Sequence, residues 1–94
     1  MSVIDVTRHH SLDHDHAIAA ADSLAQSLAK DFDVHYQWQG DEMTFKRSGV
    51  KGQLKVTSST IAIHLELGFL LRPFKARIER EIHQHLDSLV EGGG

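Results

Sequence analysis

The feature that most constrains this chain is a change of period inside one stretch. Ile61 to Leu67 alternates apolar and polar residues, whereas Phe74, Ile78, Ile82, Leu86 and Leu89 recur mostly at four-residue spacing. Period two marks a half-buried strand, and period 3.6 marks a helix with one buried stripe. Only Gly68 to Arg72 separates the last strand residue from Pro73, where a fixed φ and the missing N–H suit the first helical position. The second element must therefore fold straight back over the first, and the rest of the chain has to complete the core they close.

Three further runs alternate in the same way. Val34, Tyr36 and Trp38 are set against His35, Gln37 and Gln39; Met43 and Phe45 against Glu42, Thr44 and Lys46; Leu54 and Val56, in a run read as Gly52 to Thr57, against Gln53, Lys55 and Thr57. Gly40-Asp41, Ser48-Gly49 and Ser58-Ser59 punctuate them, so with Thr60 to Leu67 they form a four-stranded antiparallel meander. Every strand keeps a polar face, which predicts a sheet wet on one side and covered on the other. Upstream, Ser2 to Thr7 reads as a short strand with Ile4 and Val6 facing the core. A helix capped by Ser11 or Asp13 follows, with Ala17, Ile18, Ala21, Leu24, Ala25, Leu28, Ala29 and Phe32 as its buried stripe and Asp22, Gln26 and Lys30 on its solvated side. The expected fold class is α+β, a two-layer sandwich ordered strand-helix-four-stranded antiparallel meander-helix, with both helices on one face of the sheet. Residues 1–91 form one domain, the last helix fades near Val90, and residues 92–94 read as a flexible glycine tail. The pattern leaves open which sheet edge the first strand takes.

Composition excludes several functions. The chain has no cysteine, hence no disulfide, thiolate nucleophile or thiolate metal site. Ten Lys+Arg against 13 Asp+Glu give a formal charge of −3, and no basic face for nucleic acid is expected. No stretch approaches the ~20 apolar residues of a membrane span, and no secretory leader is evident, so the expectation is a soluble cytoplasmic protein with no transmembrane segment. Eight histidines invite a metal reading. On a helix, however, His14 and His16 lie about 200° apart, as do His83 and His85, and only His10 with His14 has a usable spacing if the helix begins early. No metal site is assigned and no cofactor is expected. His64 and Glu66, with His35 on the same polar face, are the candidate acid-base groups, but an open sheet face offers no cleft to desolvate them. The glycines at 40, 49, 52 and 68 read as single turn residues. No catalytic residue is assigned, and the chain is read as non-enzymatic.

One segment is more apolar than a turn requires: Gly68 to Phe74, GFLLRPF. Its large residues either pack beneath the last helix as core or form a contact surface made of Phe69, Leu70, Leu71, Arg72, Phe74 and Lys75, whose basic members would suit an anionic or interfacial partner.

Several blocks together carry a resemblance. They are His10-Ser11-Leu12 after the first strand, the alanine-rich helix, Tyr36-x-Trp38-x-Gly40-Asp41, Gly49-Val50-x-Gly52, and Leu67-Gly68-Phe69-Leu70-Leu71-x-Pro73-Phe74-Lys75 followed by Ile78-Glu79. Over nearly its whole length the chain resembles the small polyhydroxyalkanoic acid system proteins, or polyhydroxyalkanoate granule region family, of proteobacteria. Arg72 departs from the serine-like cap expected before the proline. The resemblance implies a setting in polyester storage and brings no catalytic residues. It leads to the expectation of an accessory protein that contacts a polyhydroxyalkanoate granule or a granule protein through the apolar segment. A domain binding an acyl or other hydrophobic ligand between sheet and helices, and a structural homodimer, are the alternatives.

Overall fold

The computed structural model describes residues 2–93, with side chains described through Ser88. Its elements are β1 (Ser2–His9), α1 (His14–Phe32), β2 (His35–Gln39), β3 (Glu42–Arg47), β4 (Val50–Val56), β5 (Thr60–Leu67), a 3-10 helix (Phe69–Phe74) and α2 (Lys75–Gly93). The two-layer α+β sandwich is as expected. The five strands form one antiparallel sheet in the order β1-β5-β4-β3-β2. The first strand thus lies beside the last: α1 crosses the covered face from one edge of the sheet to the other, and the meander returns strand by strand to β1.

Strand alternation sorts the two faces. Ile4, Val6, Met43, Phe45, Leu54, Val56, Ile61, Ile63, Leu65 and Leu67 are buried under the helices. They meet Ala17, Ala21, Leu24, Ala25 and Leu28 of α1 and Ile78, Ile82 and Leu86 of α2. The α1 alanines let that helix lie close to the sheet, and no polar side chain is buried among the described residues. Asp13 is the helix cap, its carboxylate accepting the His16 backbone N–H at 2.9 Å.

Four local readings need correction. β4 begins at Val50 rather than Gly52, so Gly52 is a strand residue and not a turn. A Cβ there would collide with the His64 carbonyl oxygen and lie 2.6 Å from Leu65 Cδ2, so β5 and the Leu65 side chain occupy the space that a side chain would need. Asp22 is not simply solvated, since its carboxylate accepts the Trp38 indole N–H at 2.9 Å and the Gln26 amide at 2.7 Å, tying α1 to edge strand β2. Pro73 does not open the α-helix: it lies in the 3-10 helix, and α2 starts at Lys75. Finally, α2 extends to Gly93, past the point near Val90 where the sequence pattern fades; Gly94 of the expected tail lies outside the described residues.

Candidate functional site

The period of the 3-10 helix decides what GFLLRPF presents. Proline disfavours the α-conformation at the preceding Arg72, and the chain winds at three residues per turn instead. Residues three apart then stack. Leu71 and Phe74 share one column, Leu70 and Pro73 a second, Phe69 and Arg72 a third. The first column leans on the core, where Leu71 is 8% exposed and Phe74 41%. The other two face water, leaving Phe69 83% and Leu70 79% exposed. Arg72 is also exposed and Lys75 half-buried.

The candidate contact surface is therefore corrected at one member. Leu71 is a core residue, packed against the β3–β4 turn near Gly49, and Phe69, Leu70, Arg72, Phe74 and Lys75 remain outside. The base of the segment is fixed. Gly68 donates its N–H to the Gly49 carbonyl at 2.7 Å, the Leu71 N–H closes the first 3-10 turn on the Gly68 carbonyl at 3.1 Å, and Gly49 adopts φ +86°, a region that favours glycine. Two large apolar side chains are thus held in solvent by a short helix with a buried peg. Scattered apolar residues on a surface are ordinary, but Phe69 and Leu70 are adjacent, project from one end and are almost wholly exposed.

The polar candidates fall elsewhere. His64 Nδ1 lies 2.6 Å from Asp5 Oδ1, and its Nε2 lies 3.9 Å from Glu66 Oε2. Asp5 was not legible as a partner because its place depends on β1 pairing with β5. His35 is on β2, separated from β5 by β3 and β4, so it does not join the pair. The open face here is a shallow concavity of about 800 Å³ lined by Lys46, Lys51, Gln53, His64 and Glu66, among others. It is broad and solvated, and the His64 and Asp5 side chains are 38% and 69% exposed, so water screens them.

The histidines are dispersed. His10 Nδ1 accepts the Leu12 N–H at 3.1 Å, which leaves Nε2 as the donor to the Thr57 carbonyl at 3.0 Å. His14 faces Asp41 at 3.0 Å, while Arg8 Nη2 reaches His83 Nδ1 at 2.6 Å and Arg8 Nε reaches Asp87 at 3.1 Å, joining β1 to α2. Among the described residues no three His, Asp or Glu side chains are grouped to hold a metal ion. Between α1 and α2, Ser27 donates to Glu81 at 2.5 Å. Burial there, and a hydrogen bond with Asp31, raise the Glu81 pKa above its ordinary value.

Between the sheet and the helices lies a void of about 10 Å³ bordered by Leu28, Phe32, Phe45, Leu65 and Ile78, too small for an acyl chain.

The fold and the exposed tip define a small α+β domain with an apolar projection. The chain belongs to the family described as "Putative polyhydroxyalkanoic acid system protein", whose model matches residues 4–90. No curated protein and no solved structure matches it. Among the described residues no helix is long and apolar enough to cross a membrane.

Proposed function

We propose that this protein is a non-enzymatic accessory component of polyhydroxyalkanoate storage that docks on a granule surface, or on a protein there, through Phe69, Leu70 and Phe74, with Arg72 and Lys75 beside them. The supporting observation is the outward presentation of Phe69 and Leu70 on a 3-10 helix anchored by buried Leu71. A segment serving only to join β5 to α2 would keep the peg and have no use for the two exposed side chains. Family membership supplies the polyester setting. The exposure of His64, Asp5 and Glu66 on an open sheet face, where water screens them, supports the non-enzymatic part of the reading.

The cellular test replaces the chromosomal copy with the Phe69→Asp, Leu70→Asp double variant in a polyester-accumulating host. Altered granule number or size at equal protein abundance is the expected result. Granules indistinguishable from wild type, under conditions where deletion of the gene changes them, would refute the docking role.

A further inference from the structure

The exposed apolar tip lies at the basic end of the molecule. The β3–β4 turn, the end of β5, the last turn of α1 and the start of α2 converge there. Gly68 bonds to Gly49, Arg47 donates to the Phe32 carbonyl, and the Arg77 guanidinium carbon stands 5.4 Å from the Phe32 ring centroid. Lys46 and Lys51 are cross-strand partners one register step from the Arg47–Val50 pair, both exposed on the open face. Such like-charged neighbours repel, and among the described residues neither lies in an ion pair.

Charge is distributed accordingly. In the segments meeting at this end, Lys30, Lys46, Arg47, Lys51, Arg72, Lys75 and Arg77 outnumber Asp31, Asp33, Glu66 and Glu79 by three. The remaining three basic and nine acidic residues leave −6 on the rest of a chain whose total is −3. The positive pole thus coincides with Phe69 and Leu70.

An apolar tip alone fits any hydrophobic surface, whereas an apolar tip ringed by cations fits one whose outer layer is anionic. Resting on the granule-docking reading, we propose that the surface this tip recognises is an anionic phospholipid layer. Phe69 and Leu70 enter the acyl boundary, Arg72, Lys75 and Arg77 stand at the level of the phosphates, and Lys46 and Lys51 add longer-range attraction. The acidic remainder of the protein is repelled, which fixes the orientation with the tip down.

The test is co-sedimentation of the full chain with vesicles of phosphatidylcholine alone or mixed with phosphatidylglycerol, at low and high salt, alongside native granules. Each basic residue near an anionic surface is worth about fivefold in partitioning. Arg72→Glu with Lys75→Glu is therefore expected to lower binding to the mixed vesicles by more than tenfold, and high salt to do the same. Phe69→Asp with Leu70→Asp is expected to abolish binding to vesicles and granules alike, with far-UV circular dichroism unchanged. Equal, salt-insensitive partitioning to both vesicle types, or binding to granules but to neither vesicle, would overturn the anionic-lipid inference and leave granule docking standing. Binding to neither granules nor vesicles would overturn both.

Discussion

Two adjacent leucines are expected to respond oppositely to the same substitution. Leu71 is 8% exposed and packs into the core at the β3–β4 turn, while Leu70 is 79% exposed. Leu→Ala in a core costs about 2–5 kcal/mol from lost burial and the cavity left behind, and Leu71 belongs near the lower bound because it lies at the margin of the core. Leu71→Ala should therefore cost about 2–3 kcal/mol. At about 4–8 °C per kcal/mol for a domain of this size, that lowers Tm by about 10–20 °C. Leu70→Ala removes no buried contact and should stay within about 0.5 kcal/mol of wild type. Urea unfolding followed by circular dichroism, with the slope checked for constancy, measures both. Equal destabilisation by the two variants, or a Leu71→Ala cost below about 0.5 kcal/mol, would refute the split of this segment into anchor and exposed tip.

Other residues give independent checks. Gly52→Ala places a Cβ against the His64 carbonyl and should destabilise by about 2 kcal/mol or more, as overpacking does, measurable by thermal melting. The Tyr36 pKa is raised by burial first and then by the Asp22 carboxylate, so Asp22→Ala should bring it part of the way back; this is the only tyrosine, and ultraviolet titration reads it directly. Glu81, with its folded pKa raised, contributes stability that is fully present below its ordinary value of 4.5 and is lost as pH rises through the higher folded value. Glu81→Gln should remove that loss, so the urea midpoint of wild type relative to the variant should fall as pH rises above 4.5. For Asp13, whose pKa is lowered mainly by the His16 backbone N–H, the sign is reversed: its cap is present above 3.8 and lost as pH falls through the lower folded value. Asp13→Ala should accordingly lower Tm at pH 7 and lose its effect in acid.

Most of the fold was legible because it is written in periods. The alternation of Ile61, Ile63, Leu65 and Leu67, and the stripe of Ala17, Ala21, Leu24 and Leu28, each specify one element and its buried face. Pairing between distant segments was not, because β1 carries the same alternation whichever edge it joins. The Asp5–His64 contact and the Arg8 contacts to His83 and Asp87 stayed hidden for that reason. Gly52 reads as a turn residue in sequence because its strand role is fixed by a carbonyl on β5. At the candidate site the composition of GFLLRPF signalled an unusual segment, but an α-helical period placed Phe74 in the buried stripe and left Leu71 undecided. The three-residue repeat imposed ahead of Pro73 turns Leu71 inward and Leu70 outward.

The central claim is that the outward side chains of this segment attach the protein to storage granules. Its most direct measurement is co-sedimentation of purified protein with native polyhydroxyalkanoate granules, comparing wild type with Phe69→Asp, Leu70→Asp. The account predicts that wild type pellets with the granules and the double variant, equally folded, stays in the supernatant. Equal pelleting of the two proteins, or no pelleting of wild type, would contradict it.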